Sequence, residues 1–243
     1  KRLRGENGCP WDREQTHMSL RNTMIEEAYE AVDAIERDDT DALCEELGDV
    51  LLQIVFHAQI ETEASDFTIR DVTTGIVKKL MYRHPHVFSA LKVSGTEEVL
   101  KNWEELKKKE KHIHSATEAM QAVPQCFPSL MRAGKLQKRA AATGFDMDAS
   151  AALSAVTEAA ERIRTEYADS ADKDTLYLLA EELLFAAVYV MRALGLDAEL
   201  TLRDAGSAFL DAFAKVEHES RQNGTELRPL TPEVLHALLQ RAK

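Results

Sequence analysis

Ile25-Glu26-Glu27-Ala28-Tyr29-Glu30, the break Arg37-Asp38-Asp39-Thr40, and Glu45-Glu46-Leu47-Gly48-Asp49 are the stretches whose reading decides the fold. With helices on both sides of the break, residues three or four apart share a face, so Glu27 with Glu30 and Glu46 with Asp49 form two vertical pairs of acids. The pairs lie at nearly equal distances before and after the break, roughly 14 Å along each axis at ~1.5 Å rise per residue, so an antiparallel hairpin sets them level. Four apposed carboxylates repel unless a cation lies between them. A quartet of oxygen donors with neither Cys nor His points to Mg²⁺ or Mn²⁺, and Mg²⁺ works mainly on phosphates.

These acids are expected beside a core. Ile25, Ala28, Val32 and Ile35 mark an apolar stripe on the first helix, with Glu27 and Glu30 at its border. On the second, Leu43, Leu47, Val50, Leu51, Ile54, Val55 and Ala58 form a broad apolar face that Glu46 and Asp49 interrupt. Acids next to a core are costly unless paired or metal-bound, which favours a metal site over a merely solvated acidic face.

The 243 residues are 44% hydrophobic, ample for a core in one or two domains. Only 6% are aromatic, and Ala, Leu, Glu and Arg recur throughout, as in helical proteins. A net charge of −12 argues against general binding to a nucleic-acid polymer, which needs a basic face to replace counterions. Cys9, Cys44 and Cys126 are odd in number and far apart, and read as free thiols of a reducing compartment. With no signal-like segment and no span of ~18 apolar residues, the expected location is the cytoplasm, with no membrane partner. The chain opens on Lys1-Arg2-Leu3-Arg4 without Met and so reads as part of a longer product.

Helical periodicity predicts segments at 16–36, 41–64, 68–82, 96–112, 129–142, 150–167, 173–194, 198–221 and 231–242, and nothing alternates with the period of a strand. Thr40 and Ser150 suit helix starts, Gly144 and Gly195 helix ends. Pro124 and Pro128 fall in Ala122–Ser129, just after the basic run Lys107-Lys108-Lys109-Glu110-Lys111-His112. This stretch is the expected linker, dividing the chain into 1–120 and 121–243. The halves echo one another: Glu26–Glu30 lines up with Glu158–Arg162, and Glu45–Gln53 with Leu178–Ala186. In that alignment Glu27 falls on Ala159, Glu30 on Arg162, Glu46 on Leu179 and Asp49 on Glu182. The second half reads as a scaffold that has lost its site.

Lys79 and Arg83 share a face near the end of the third helical segment, where they suit phosphate oxygens but equally complement a helix dipole. Trp11 and Trp103 are the only tryptophans. An indole can stack on a nucleobase, although a core role is commoner. The pairs His84-x-His86 and His112-x-His114 read as structural, since Pro85 breaks the first and residues two apart on a helix diverge. No Glu-x-x-His faces the quartet, which disfavours di-iron chemistry.

Gly8-Cys9-Pro10-Trp11-Asp12-Arg13-Glu14-Gln15-Thr16, the Glu-Glu-x-x-Glu and Glu-x-x-Asp helices, Arg83-His84-Pro85-His86-Val87-Phe88 and Asn102-Trp103-Glu104 occur in the order found in MazG proteins. The chain strongly resembles this nucleoside triphosphate pyrophosphohydrolase family over nearly its whole length. The resemblance implies an all-α fold of two tandem helical bundles, with a catalytic domain at 1–120 and a degenerate one at 121–243. It also implies hydrolysis of NTP or dNTP to monophosphate and pyrophosphate with Mg²⁺, Mn²⁺ being an alternative. Carried over by motif, Glu27, Glu30, Glu46 and Asp49 resemble the metal ligands, and Glu26 and Glu45 their close partners. Lys79 and Arg83 match phosphate contacts, Trp103 an aromatic near the base, and Trp11 joins them as a substrate contact. The family's cation pair corresponds to Ala208 and Ala212 in the second half, so activity is expected from the first half alone. A homodimer or higher homo-oligomer is expected, and some members are fused behind a tetrapyrrole-methylase-like domain. The alternative is a catalytically silent nucleotide-sensing or dimerisation module of a larger protein.

Overall fold

A computed structural model describes residues 1–110, 113–169, 172–224 and 231–241, with Lys108 and residues 238–241 in backbone only. Lys111 and the His112 member of the His112-x-His114 pair lie outside the described residues. The described residues form helices α1 (Pro10–Glu14), α2 (His17–Glu36), α3 (Thr40–Ala64), α4 (Ile69–Arg83), α5 (Pro85–Phe88), α6 (Thr96–Glu110), α7 (Ala116–Gln121), α8 (Ser129–Ala141), α9 (Ala149–Ala168), α10 (Lys173–Ala193), α11 (Ala198–Asn223) and α12 (Pro232–Arg241), with no strand among them. The fold is all-α. The three short helices escape a periodicity reading because none spans two full turns; two of them, α1 and α5, begin with a proline, at the position where a missing N–H costs nothing.

The helix starts are set by side-chain caps. The Thr16 hydroxyl accepts from the Ser19 amide while the Ser19 hydroxyl receives the Thr16 amide, closing a capping box on α2. Helix α3 starts at Thr40, as expected, and α9 one residue before Ser150, the N-cap in each case being the preceding aspartate. Asp39 and Asp148 take that place, each accepting from the amide three residues on, and a carboxylate also meets the positive end of the helix dipole. Gly144 and Gly195 do sit at positive φ, +85° and +72°, just beyond α8 and α10.

Contacts separate the chain into Lys1–Lys111 and His112–Lys243. The division therefore falls ahead of residue 120. Ala122–Ser129, expected as the linker, instead joins α7 to α8, which pack together, and Val123 within it is 2% exposed.

In the first unit α2 and α3 pack as a hairpin. Its buried face is not the predicted stripe: Leu20, Ala31 and Ala34 are buried on α2, while Ile25 and Ile35 are 51% and 59% exposed. The small side chains Ala31 and Ala34 let α3 approach closely, and this turns Glu27, in register with them, inward. On α3 the buried residues are Gln53, Phe56 and Ala58, while Leu47, Leu51 and Val55 face out. Helix α4 packs on α3, α5 and α6, yet Arg83 is its one buried residue. In the second unit α9 and α10 form the hairpin, α8 packs on α10, and Ala152, Tyr189 and Val190 centre a core with Met147, Val156 and Met191.

Candidate metal centre

The N-terminal segment is tied to α3 by Arg4. Its guanidinium pairs with Glu63 at 2.8 Å, donates to the carbonyls of Asp12 and Gln15, and lies over the Phe56 ring. This fixes the start of α2, and the short Arg37–Asp39 connection, with Asp38 at φ 52°, fixes its return into α3.

Between the two helices Glu27, Glu46 and Asp49 bring one carboxylate oxygen each to within 4.8 Å of one another, all half-buried. Both Glu27 and Glu46 are pushed above the usual Glu range. Partial burial is the largest cause, followed at Glu27 by Asp49, Glu30, Glu46 and Glu26. At Glu46 the like charges are Glu30, Glu45 and Asp49, with Arg37 alone acting the other way. Glu30 is exposed and stands at the edge of the cluster, close enough to act on both; Glu26 and Glu45 are exposed on the flanks. Crowded hard oxygen donors whose repulsion disfavours ionisation are what a divalent cation relieves, and three carboxylates of this kind suit Mg²⁺ or Mn²⁺. The donor set fits the ion.

The expected substrate contacts are less gathered. Lys79 is exposed on α4. Arg83 is 5% exposed: its Nε donates to Glu110 Oε2 at 2.7 Å, its Nη2 lies 2.6 Å from the same oxygen, and its guanidinium sits 5.1 Å from the Trp103 ring centre. Trp11, on α1, is 60% exposed. Nothing in the described structure joins it to the acid cluster.

Three polar features escaped the sequence reading. Glu110 is the partner of Arg83. His17, the first residue of α2, meets His57 of α3 Nδ1 to Nδ1 at 2.6 Å and holds Glu61 through Nε2. Gln53 is buried with its Oε1 unpartnered. The available signal was the spacing Asp49, Gln53, His57, Glu61, four apart along one side of α3, which continues the acid pair as a polar stripe.

In the second unit Arg162 of α9 donates to Glu182 of α10 at 2.7 Å, across the hairpin. All three cysteines are free thiols, and among the described residues no helix is long and apolar enough to cross a membrane.

Comparison with known proteins bears on these features. A model of the MazG nucleotide pyrophosphohydrolase domain matches residues 15–88, the span of α2 to α5 that carries the acid cluster. A nucleoside triphosphate pyrophosphohydrolase of Escherichia coli is 39% identical over 247 residues, covering all of this chain and 94% of its own length. A nucleoside triphosphate pyrophosphohydrolase/pyrophosphatase of Thermotoga maritima is 38% identical over 243 residues, with 100% and 92% covered. An uncharacterised Bacillus subtilis protein, YabN, is 42% identical over 245 residues, and the chain spans 50% of its length.

Proposed function

The chain belongs to the MazG nucleotide pyrophosphohydrolase family, and from that premise we propose that it hydrolyses nucleoside triphosphates, ribo or deoxy, to the monophosphate and pyrophosphate in a divalent-metal-dependent reaction confined to the first unit. The observation that carries the assignment is the convergence of Glu27, Glu46 and Asp49 across the α2/α3 hairpin. These three, with Glu30 at the edge, would hold Mg²⁺, or Mn²⁺ in its place. When bound, the ion neutralises phosphate oxygens and lowers the pKa of a water. A triphosphate carries about four negative charges, so attack on it needs such screening. A flanking carboxylate, Glu26 or Glu45, accepts the proton as the water oxygen bonds to the α-phosphorus. The bond from that phosphorus to the bridging oxygen breaks, and pyrophosphate leaves with the electron pair. Lys79 and Arg83 supply positive charge to the phosphate chain.

The protein acts as a homodimer or higher homo-oligomer in this reading. Apolar side chains of α2, α3 and α4, including Ile35, Leu51 and Ile76, stand exposed on one unit, a surface that a second copy covers well. The second unit serves as a scaffold: where the first hairpin gathers acids, the second carries the Arg162–Glu182 pair. The free cysteines are in keeping with the cytoplasm.

Pyrophosphate release from a panel of NTPs and dNTPs, with and without chelator, tests the proposal. Monophosphate and pyrophosphate, lost on chelation, are expected; nucleotide binding without turnover would instead indicate the silent module.

A further inference from the structure

Among the described residues, three of the four buried side-chain polar atoms without a hydrogen-bond partner lie on α8 and α10 of the second unit: Arg132 Nε, Gln137 Oε1 and Arg192 Nε. Two of these are guanidinium donors, and a buried N–H without an acceptor is costly enough to call for one. Each of the two donors belongs to the wall of a cavity. Arg132 lines a cleft of about 910 Å³ whose other walls are mostly apolar, Leu136, Leu178, Phe185 and Val188 among them. Arg192 lines a smaller cavity of about 210 Å³ together with Lys135 and Lys138. Leu130 and Val188 line both, so the two cavities adjoin. Lys135 ties them together, its Nζ lying 5.5 Å from the ring centre of Phe127, a residue of the cleft wall.

The two cavities differ in charge. In the small one, Lys135 and Lys138 stand three apart on α8 and so share a face, and neither has an acid partner among the described residues. Arg192 gives its Nη atoms to Asp146, which leaves its Nε uncommitted. Asp197, the acid that lines this cavity, is spent on the start of α11, where it accepts from the amides of Glu199 and Leu200. In the cleft the acids are Glu181 and Glu182, the second held by Arg162. We propose that the adjoining cavities form a metal-free site for a nucleoside monophosphate, with the phosphate between Lys135, Lys138 and Arg192 and the base in the apolar cleft. The cleft lies within the roughly 300–1,000 Å³ of small-molecule pockets, and its apolar walls suit a flat ring. Arg132 Nε–H meets an acceptor on that ring. Glu181 repels the phosphate from the cleft, and three cations draw it to the small cavity, so the charges fix the orientation. The site goes beyond the hydrolase reading and does not depend on it, since the acids of that reaction belong to the first unit.

The test is calorimetric titration of the full chain, with chelator and no metal, using AMP, GMP, CMP, UMP, ribose 5-phosphate and inorganic phosphate. Binding of at least one of the four monophosphates is expected at one molecule per chain, with ribose 5-phosphate and inorganic phosphate weaker by about tenfold or more. Lys135→Gln with Lys138→Gln is expected to weaken that monophosphate by about tenfold or more; both side chains are exposed, so helix content by circular dichroism stays the same. Arg132→Lys keeps the charge, removes the Nε donor and is expected to weaken binding by about threefold. Glu27→Gln with Glu46→Gln, which disables the acid cluster, should leave the titration unchanged. No metal-free binding, binding untouched by the double lysine variant, or loss in the double acid variant would each overturn the site. Equal affinity for inorganic phosphate or ribose 5-phosphate would reduce it to an anion site and overturn the nucleotide assignment. The hydrolase reading is judged separately, by metal-dependent product formation. Turnover without metal-free binding sinks this site alone, and the expected titrations without turnover sink the hydrolase reading alone.

Discussion

Arg162 Nη1 donates to Glu182 Oε2 at 2.7 Å across the α9/α10 hairpin, at the positions that alignment of the two halves sets against Glu30 and Asp49. One hairpin leaves its acids facing one another; the other answers an acid with its own cation. A built-in guanidinium removes the reason for a metal. Both side chains are about half exposed, 51% and 50%, so the pair contributes little to stability, and Arg162→Ala is expected to cost under about 1 kcal/mol by denaturant melt. The same reasoning predicts that Glu27→Gln with Glu46→Gln abolishes specific Mn²⁺ binding by the whole chain in calorimetric titration. Residual binding of one equivalent with unchanged affinity would place a site elsewhere.

Crowding of the acids has a thermodynamic signature. Glu27 and Glu46 are held above the usual Glu range, so the folded, metal-free protein binds protons more tightly at these sites than the unfolded chain does. Their contribution is fully present below the unfolded value of 4.5 and is lost as pH rises through the raised folded values. Metal-free protein at neutral pH is thus strained by its own site, and Glu27→Gln is expected to melt at a higher temperature than wild type under chelation. Saturating Mg²⁺ should raise the wild-type midpoint and leave that of Glu27→Gln nearly unmoved, while turnover falls by about 100-fold or more.

The His17–His57 contact predicts a second pH dependence, of opposite sign. Glu61 accepts from His17 Nε2, and the Nδ1 atoms of His17 and His57 lie 2.6 Å apart. His57 is lowered from its ordinary 6.5, mainly by burial and then by His17. The unfolded chain therefore takes up a proton at His57 more readily than the folded one. Stability from the pair is present above about 6.5 and is lost as pH falls through the lower folded value. Urea midpoints measured from pH 7.5 to 5 should fall in wild type, and less steeply in His57→Gln.

Assembly is expected to depend on the outward apolar face of the first hairpin. Leu51 of α3 is 57% exposed. Leu51→Glu is expected to shift the protein toward monomer in analytical ultracentrifugation without loss of helix by circular dichroism. An unchanged mass would remove this face from the assembly.

Most of the helical frame was legible because long amphipathic helices declare themselves by period; of the expected acid quartet, Glu27, Glu46 and Asp49 meet across the hairpin, while Glu30 stands exposed at the edge. What was not legible depended on tertiary choice. The stripe Ile25, Ala28, Val32, Ile35 is more apolar than the face that is buried, yet Ala31 and Ala34 win because small side chains permit close helix approach. Arg83 was read with Lys79 as sharing one helix face; its burial depends on Glu110 and Trp103, which lie far along the chain and are brought near by α6. The boundary expected near residue 120 followed its prolines, whereas α7 packs forward onto α8.

The central claim is attack on the α-phosphorus directed by the Glu27, Glu46, Asp49 cluster. It is tested most directly by phosphorus NMR of an NTP turned over with Mg²⁺ in ¹⁸O-enriched water. The account predicts monophosphate carrying the label, unlabelled pyrophosphate, and neither product from Glu27→Gln. Diphosphate with free phosphate, label in the pyrophosphate, or undiminished turnover by Glu27→Gln would contradict it.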